Sequence, residues 1–332
     1  MTNYSIKCFA VEPSEKLKNT IIKLVSDYKF MVDKGWENGY HLHLRGALDD
    51  ETLPLVVNEL EEGVSDSFIH YDENEFIQRY KSTARILRRS DPFKPIYKGK
   101  VTVNAEASIF EKDIEDELFR ETNHIFDSYY CSSYFNDNSL YPVIEEMMKF
   151  HKMLELYESP ESTEKSAYNC HLSHYIAFIH RLNKQDKERI EKQFQLNYER
   201  DLEEGLFDFD LSPSRLTENL MSFFHKIRPL IKGKELNFYM PFKRKHIDEK
   251  VKHASKRHKV TFSEENMNRY FLYDEVLIAN RWIMNALYKK LLLLRLTNTD
   301  RFYMNYVVSR LTYPTYALND YAVKFGSTLK GE

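Results

Sequence analysis

The sequence predicts an α+β fold: a small, mostly antiparallel sheet from the N-terminal third, packed against a predominantly helical C-terminal part. Three observations predict it. Strand, helix, strand and helix patterns succeed one another within about the first sixty residues, the signature of an α+β unit. Gly39-Tyr40-His41-Leu42-His43-Leu44-Arg45-Gly46 alternates with a period of two, as a half-buried strand does. Beyond Ala105 the apolar residues recur at helical spacing instead. No internal repeat and no low-complexity segment interrupts the 332 residues, so one domain over 1–332 is expected.

The elements follow in order. Tyr4 to Val11 reads as a first strand. Pro13-Ser14-Glu15 starts a helix whose apolar positions, Leu17, Ile21, Leu24, Val25 and Tyr28, carry it to about Phe30. Asn38-Gly39 favours a tight turn into the His41 strand, and Gly46 with Asp49-Asp50 closes that strand and offers a cap to a helix over 51–60, ending at Gly63. A further strand is expected over 67–71 and a helix over 75–89, with Phe76, Tyr80, Ala84 and Leu87 on one side. Pro92 and Pro95 break the pattern before a strand at 98–103. Helices are then expected over 107–126, 139–157, 165–183, 186–203 and 213–231, the third with Ser166 as cap. Two last helices, 270–296 and 301–311, meet at Thr297-Asn298-Thr299-Asp300, with Thr299 or Asn298 capping the second. Trp282, Leu287, Leu291 and Leu294 are expected in the core.

Composition excludes several classes. The run Leu291–Leu294 is far too short to cross a bilayer, and an apolar fraction of 42% fits a globular chain. No signal-peptide pattern precedes the first strand, which predicts a cytoplasmic protein, and three scattered cysteines suit a reducing compartment. A net charge of -3 excludes a generally basic nucleic-acid binder. With nine glycines there is neither a dinucleotide fingerprint nor a P-loop.

The candidate chemistry gathers on the alternating strand. His41, His43 and Arg45 share one face, spaced by about 7 Å, while Tyr40, Leu42 and Leu44 share the other. Such a strand either faces a polar cavity or ligand, or has one wet face. His41 and His43 lack a nearby Cys, Asp or Glu at ligand spacing, so no metal site is expected. His171 and His174, three apart on a predicted helix, have the face relationship of a ligand pair, against which stands a histidine satisfied within its helix. No GxSxG elbow occurs. Lys243, Arg244, Lys245, Lys252, Lys256 and Arg257 belong to a basic strip over 243–259, read either as solvated surface or as a docking strip for an acidic peptide or nucleic acid.

His41-Leu42-His43-Leu44-Arg45-Gly46 resembles the His-Leu-Arg-Leu-Arg-Phe type of strand in the C-terminal elimination domain of class I lantibiotic dehydratases, and the chain is similar to the stand-alone relatives of that domain in thiopeptide biosynthesis. The length, the strand-helix-strand opening and the helical C-terminal half agree with the family over most of the chain. The resemblance implies one of two activities on a precursor peptide. One is elimination of glutamate from glutamylated Ser or Thr. The other is the formal (4+2) cycloaddition of two dehydroalanines that makes the central pyridine of a thiopeptide and expels the leader peptide.

The departures from the family pattern favour the second. His43 stands where the eliminases have their first strand arginine, and Arg45 keeps the second. Lys98 to Asn104 lacks their Arg-Tyr-Gly-Gly segment. Asn280-Arg281 matches their Asn-Arg pair, but Val276 falls at the position of their histidine and cannot move a proton. The implied protein is a pyridine synthase with His41 and His43 for proton transfer, Arg45 on a substrate carbonyl or developing imidate, and Tyr273 as a hydrogen-bond donor. Asn280, Arg281 and the basic strip would bind substrate, the strip taking the leader. No metal, nucleotide or redox cofactor is implied. The partners are the modified precursor peptide and other thiopeptide enzymes, with no membrane. A catalytically silent leader-binding protein is the alternative outside the enzyme class.

Overall fold

A computed structural model describes residues 1–86, 94–106, 108, 110, 112–157, 166–236 and 275–312. They form two compact units, one of residues 1–138 with 287–295 and one of 139–286 with 296–332. The first holds a four-stranded antiparallel sheet and the second is helical, the α+β composition that the sequence predicts.

In the first unit, β1 (Thr2–Cys8), β2 (Met31–Gly35), β3 (His41–Leu48) and β4 (Val101–Ala105) take the order β2-β3-β1-β4. The pleat sorts the side chains. Ile6, Cys8, Val32, Leu42, Leu44 and Leu48 are buried on one face. Against it lie α1 (Glu15–Tyr28) and α2 (Thr52–Ser65). They bury Leu17, Ile21, Leu24 and Val25 from α1, and Val56, Leu60 and Val64 from α2. Ser14 caps α1 by accepting from the Leu17 amide, and Lys29 ends it in the left-handed conformation at φ 54°. Asp49 Oδ1 accepts from Thr52 N at 2.7 Å and so starts α2, which runs past Gly63 to Ser65; the missing side chain of Gly63 lets Leu17 of α1 approach closely.

Two expectations need correction here. Met31–Gly35 is a strand that the helical pattern up to Phe30 concealed. The strand expected over 67–71 is a single bridge between Glu12 and Phe68, since the chain turns away into α3 (Glu73–Ile86). Phe76 and Ala84 on α3 are buried, and Leu87 lies outside the described residues. The first unit is completed by α4 (Asp113–Tyr130).

The second unit holds α5 (Tyr141–Leu154), α6 (Ser166–Ile179), α7 (Lys184–Glu203), α8 (Arg215–Lys232) and α10 (Asn298–Thr312). Helix α9 (Glu275–Leu291) belongs to it up to Ala286, and its last turn belongs to the first unit. Ser214 and Thr217 close a capping box on α8. Thr297, rather than Asn298 or Thr299, caps α10: its hydroxyl accepts from Asp300 N at 3.2 Å while Asp300 accepts from its amide at 2.7 Å. Trp282, Leu287, Leu291 and Leu294 are buried as expected.

Candidate active site

The second face of the sheet is polar, and the pairing register explains its rows. Lys7, His43 and Asp33 stand side by side across β1, β3 and β2, with Ser5, Arg45 and Met31 in the next row. The diagonals carry the contacts. His43 Nε2 lies 2.7 Å from Ser5 Oγ. Arg45 reaches the other way and donates through Nη2 to Asp33 Oδ2. Its Nη1 is 3.7 Å from Glu106 Oε1. Glu106 in turn accepts from Arg120 at 2.7 Å, and Arg120 also donates to Asp116 at 2.8 Å. Charges of alternating sign therefore run from β2 to α4.

His41 is held differently. Residue His41 is 1% exposed, and its imidazole sits 5.1 Å from the Phe9 ring and covers Gly35, where a Cβ would collide with Nε2. Nδ1 is 2.9 Å from the Gly39 carbonyl. A carbonyl only accepts, so Nδ1 bears the proton and Nε2 keeps its lone pair. That nitrogen is buried, makes no hydrogen bond among the described residues and stands 3.7 Å from the Glu37 carboxylate. Burial pushes His41 down from 6.5 to about 4. Burial, and then the Arg45 guanidinium, push His43 down to about 3. Both imidazoles are neutral at pH 7 and able to accept a proton.

The site is fastened at the edge strand. Val32 turns its N–H and C=O outward from β2, where a further strand would pair. Asp127 Oδ2 accepts from that N–H at 3.1 Å, and Lys290 Nζ donates to that C=O at 2.7 Å. The two side chains pair at 2.9 Å with neither exposed, and Tyr134 donates to Asp127 at 2.6 Å. Lys290 also reaches Asp33 at 3.5 Å. Burial drives the Asp33 carboxyl upward, but Lys290, Lys289 and Arg45 together outweigh it and hold it well below the usual carboxylate range. Arg45 is thus charge-compensated and rigidly aimed. Its Nε–H is buried and makes no hydrogen bond among the described residues.

The remaining expected residues fall elsewhere. Asn280 and Arg281 lie on α9 in the second unit. Asn280 is fully buried, with neither amide atom hydrogen-bonded among the described residues. Arg281 Nη1 is 3.4 Å from His174 Nε2. Tyr273, Lys243, Arg244, Lys245, Lys252, Lys256 and Arg257 lie outside the described residues. His171 does not form a ligand pair with His174. Its Nε2 is 2.9 Å from His151 Nε2 and its Nδ1 is 2.8 Å from Asn305 Oδ1, so it is satisfied between helices.

Asp33, Asp127, Lys289 and Lys290 were not legible as site residues. A faint signal existed: Lys289-Lys290 interrupts a mostly apolar stretch from Trp282 to Leu294, and lysines so placed need partners. Among the described residues no group of three or more His, Cys, Asp or Glu is arranged to hold a metal ion, and no helix is long and apolar enough to cross a membrane.

No family model and no curated protein matches the sequence. Solved structures do match the fold. The chain is similar to TsrL with a TM-score of 0.54 at 12% identity, over 99% of each chain. It is similar to a pyridine synthase, TbtD, from thiomuracin biosynthesis, with a TM-score of 0.66 at 14% identity, over 96% of this chain and 100% of that one. At such identities the likeness is one of fold, and the fold is that of the thiomuracin pyridine synthase.

Proposed function

We propose that this protein is a thiopeptide macrocyclase. It joins two dehydroalanines of a thiazole-containing precursor peptide by a formal (4+2) cycloaddition and makes the central pyridine, with loss of water and of the leader peptide. The fold held in common with the thiomuracin pyridine synthase over 96% of this chain carries the reading.

The chemistry asks for placement more than for a strong base. Diene and dienophile must meet, which positioning alone accelerates greatly, and an amide must pass to its imidic form. His41 and His43 are neutral imidazoles suited to taking the protons released. Arg45, fixed by Asp33, presents N–H donors to the carbonyl or imidate oxygen without having to reorganise. Tyr273 serves as a further donor, Asn280 and Arg281 bind substrate, and the strip containing Lys243, Arg244, Lys245, Lys252, Lys256 and Arg257 takes the leader. The pairing of Arg45 with Asp33 and Glu106 speaks against glutamate elimination, in which free arginines would meet the glutamate carboxylates.

The test is incubation of the purified protein with a leader-bearing linear peptide that carries thiazoles and two dehydroalanines. Mass spectrometry should show a ring formed and the leader released. A peptide that keeps its leader after prolonged incubation overturns the reading. Free glutamate from a glutamylated peptide would assign the protein to the eliminases, and tight leader binding with no turnover would make it a docking protein.

A further inference from the structure

Lys289 differs from the paired cations beside it. Arg45 faces Asp33 and Glu106, Arg120 faces Glu106 and Asp116, and Lys290 faces Asp127 and Asp33, all within ion-pair distance. Lys289 has no carboxylate at that distance among the described residues. Its ammonium lies instead 4.2 Å from the centroid of the Phe119 ring, which Arg45 faces at 5.2 Å. An aromatic face compensates an ammonium only in part. The charged groups that face it are Asp33 from β2, Arg45 from β3, Asp127 from α4 and Lys290 from its own helix. Burial, the largest influence among these, lowers the ammonium to about 8.

The proposed reaction has a need that His41, His43 and Arg45 leave unmet. The first cycloadduct carries a hydroxyl that must leave as water, and hydroxide is a poor leaving group unless a proton is delivered to it. His41 and His43, neutral at pH 7, carry no imidazolium proton to deliver. Arg45 does not give its proton up at all. An environment that separates the proton affinities of neighbouring groups assigns the acid and the base between them.

We infer that Lys289 is a further catalytic residue of the sheet-face site: its ammonium donates a hydrogen bond, and then its proton, to an oxygen of the peptide substrate beside Arg45. The inference rests on the macrocyclase reading. In the step it assigns, the Lys289 proton passes to the hydroxyl oxygen of the adduct. The C–O bond breaks with its electron pair leaving on water. The ring nitrogen beside the carbinol carbon, protonated in the enamine tautomer of the adduct, gives that proton to a neutral imidazole, His43, and the N–H electrons close the new C=N bond. The amine takes a proton from solvent and the imidazolium returns one, so the balance closes.

The experiment compares wild type with Lys289→Met and Lys289→Arg on the linear thiazole peptide with two dehydroalanines, at saturating peptide and across pH. Wild-type kcat should fall above pH about 8 as the ammonium is lost, and Lys289→Met should lower kcat by about 100-fold with KM little changed. Lys289→Arg should fail to restore it, because a guanidinium keeps its charge and its proton. A Lys289→Met kcat within about threefold of wild type, or an unchanged alkaline limb in that variant, overturns the inference. Failure of the macrocyclase reading shows separately, as a wild type that leaves the peptide unchanged. In that event competitive acetylation of the wild-type protein across pH, read by peptide mapping, decides without substrate. A Lys289 midpoint near 8 upholds a proton donor poised at this site, and an ordinary midpoint above about 10 overturns it.

Discussion

Two histidine pairs stand in ring contact among the described residues, and they are held differently. His41 and His43 lie on β3 with ring centroids 6.1 Å apart at 67°, and His151 and His171 lie on α5 and α6 with centroids 5.1 Å apart at 81°. Burial keeps all four well below the ordinary imidazole value of 6.5. Their hydrogen bonds separate them. Asn305 Nδ2 donates to Arg301 O at 2.7 Å, so its Oδ1 accepts from His171 Nδ1 and leaves His171 Nε2 to accept from His151. Every direction in that chain is determined from within, and it joins three helices. The strand pair makes no bond between its members. One ring is tied to a backbone carbonyl and the other to a hydroxyl, in a frame of ion pairs. A depressed imidazole pKa therefore reports burial, and the partners decide whether the group is a brace or a reagent.

The largest effect should come from breaking the frame of the strand pair. Asp127→Ala leaves Lys290 buried, with a carbonyl and the more distant Asp33 as its remaining partners among the described residues. Removing one member of a buried ion pair costs about 3–5 kcal/mol, and urea denaturation should read a loss of that size. A loss below about 1 kcal/mol would mean that the pair does not close the sheet edge.

The two pairs should then separate under single substitutions. His171→Leu strands the Asn305 carbonyl and the His151 N–H, and should cost about 2–3 kcal/mol while the cyclisation rate per folded molecule stays within about twofold. His43→Ala should do the reverse, lowering the rate at least about 100-fold with a stability change under about 1 kcal/mol. The contrast breaks if denaturation and turnover assays give both variants the same profile.

How much of this was legible can be judged residue by residue. The face of β3 was readable because period-two alternation survives any tertiary context, and so was the apolar stripe of α9 with Trp282 and Leu287. β2 was not, because Met31-Val32 continues the apolar pattern of α1 and only the left-handed Lys29 separates them. The expected strand at 67–71 had the right residue types but no neighbour to pair with beyond a single bridge. The candidate site was legible only in its strand residues. His41, His43 and Arg45 announce themselves, whereas Asp33, Glu106, Asp127 and Lys289 join them only through sheet register and helix packing. Long-range ion pairs leave no local pattern.

The smallest effect tests the claim that burial acts alike on both pairs. An imidazole whose folded pKa lies below 6.5 binds its proton more readily in the unfolded chain, so stability is full above 6.5 and declines as pH falls, until the folded ring itself protonates. For His171, held near 4, the decline between pH 7 and 6 is about 0.7 kcal/mol. His41, also held near 4, should add a similar share, and the half-buried His43 a smaller one after solvent screening. Denaturation at pH 7 and 6 should therefore show a slope that shrinks by comparable amounts in His151→Leu/His171→Leu and in His41→Asn/His43→Gln. A strand double variant that keeps the whole wild-type slope would show that its rings are solvated, and would remove the neutral bases from the site. Equal shares in this slope, beside unequal effects on rate, would separate what burial does to an imidazole from what the imidazole does to a substrate.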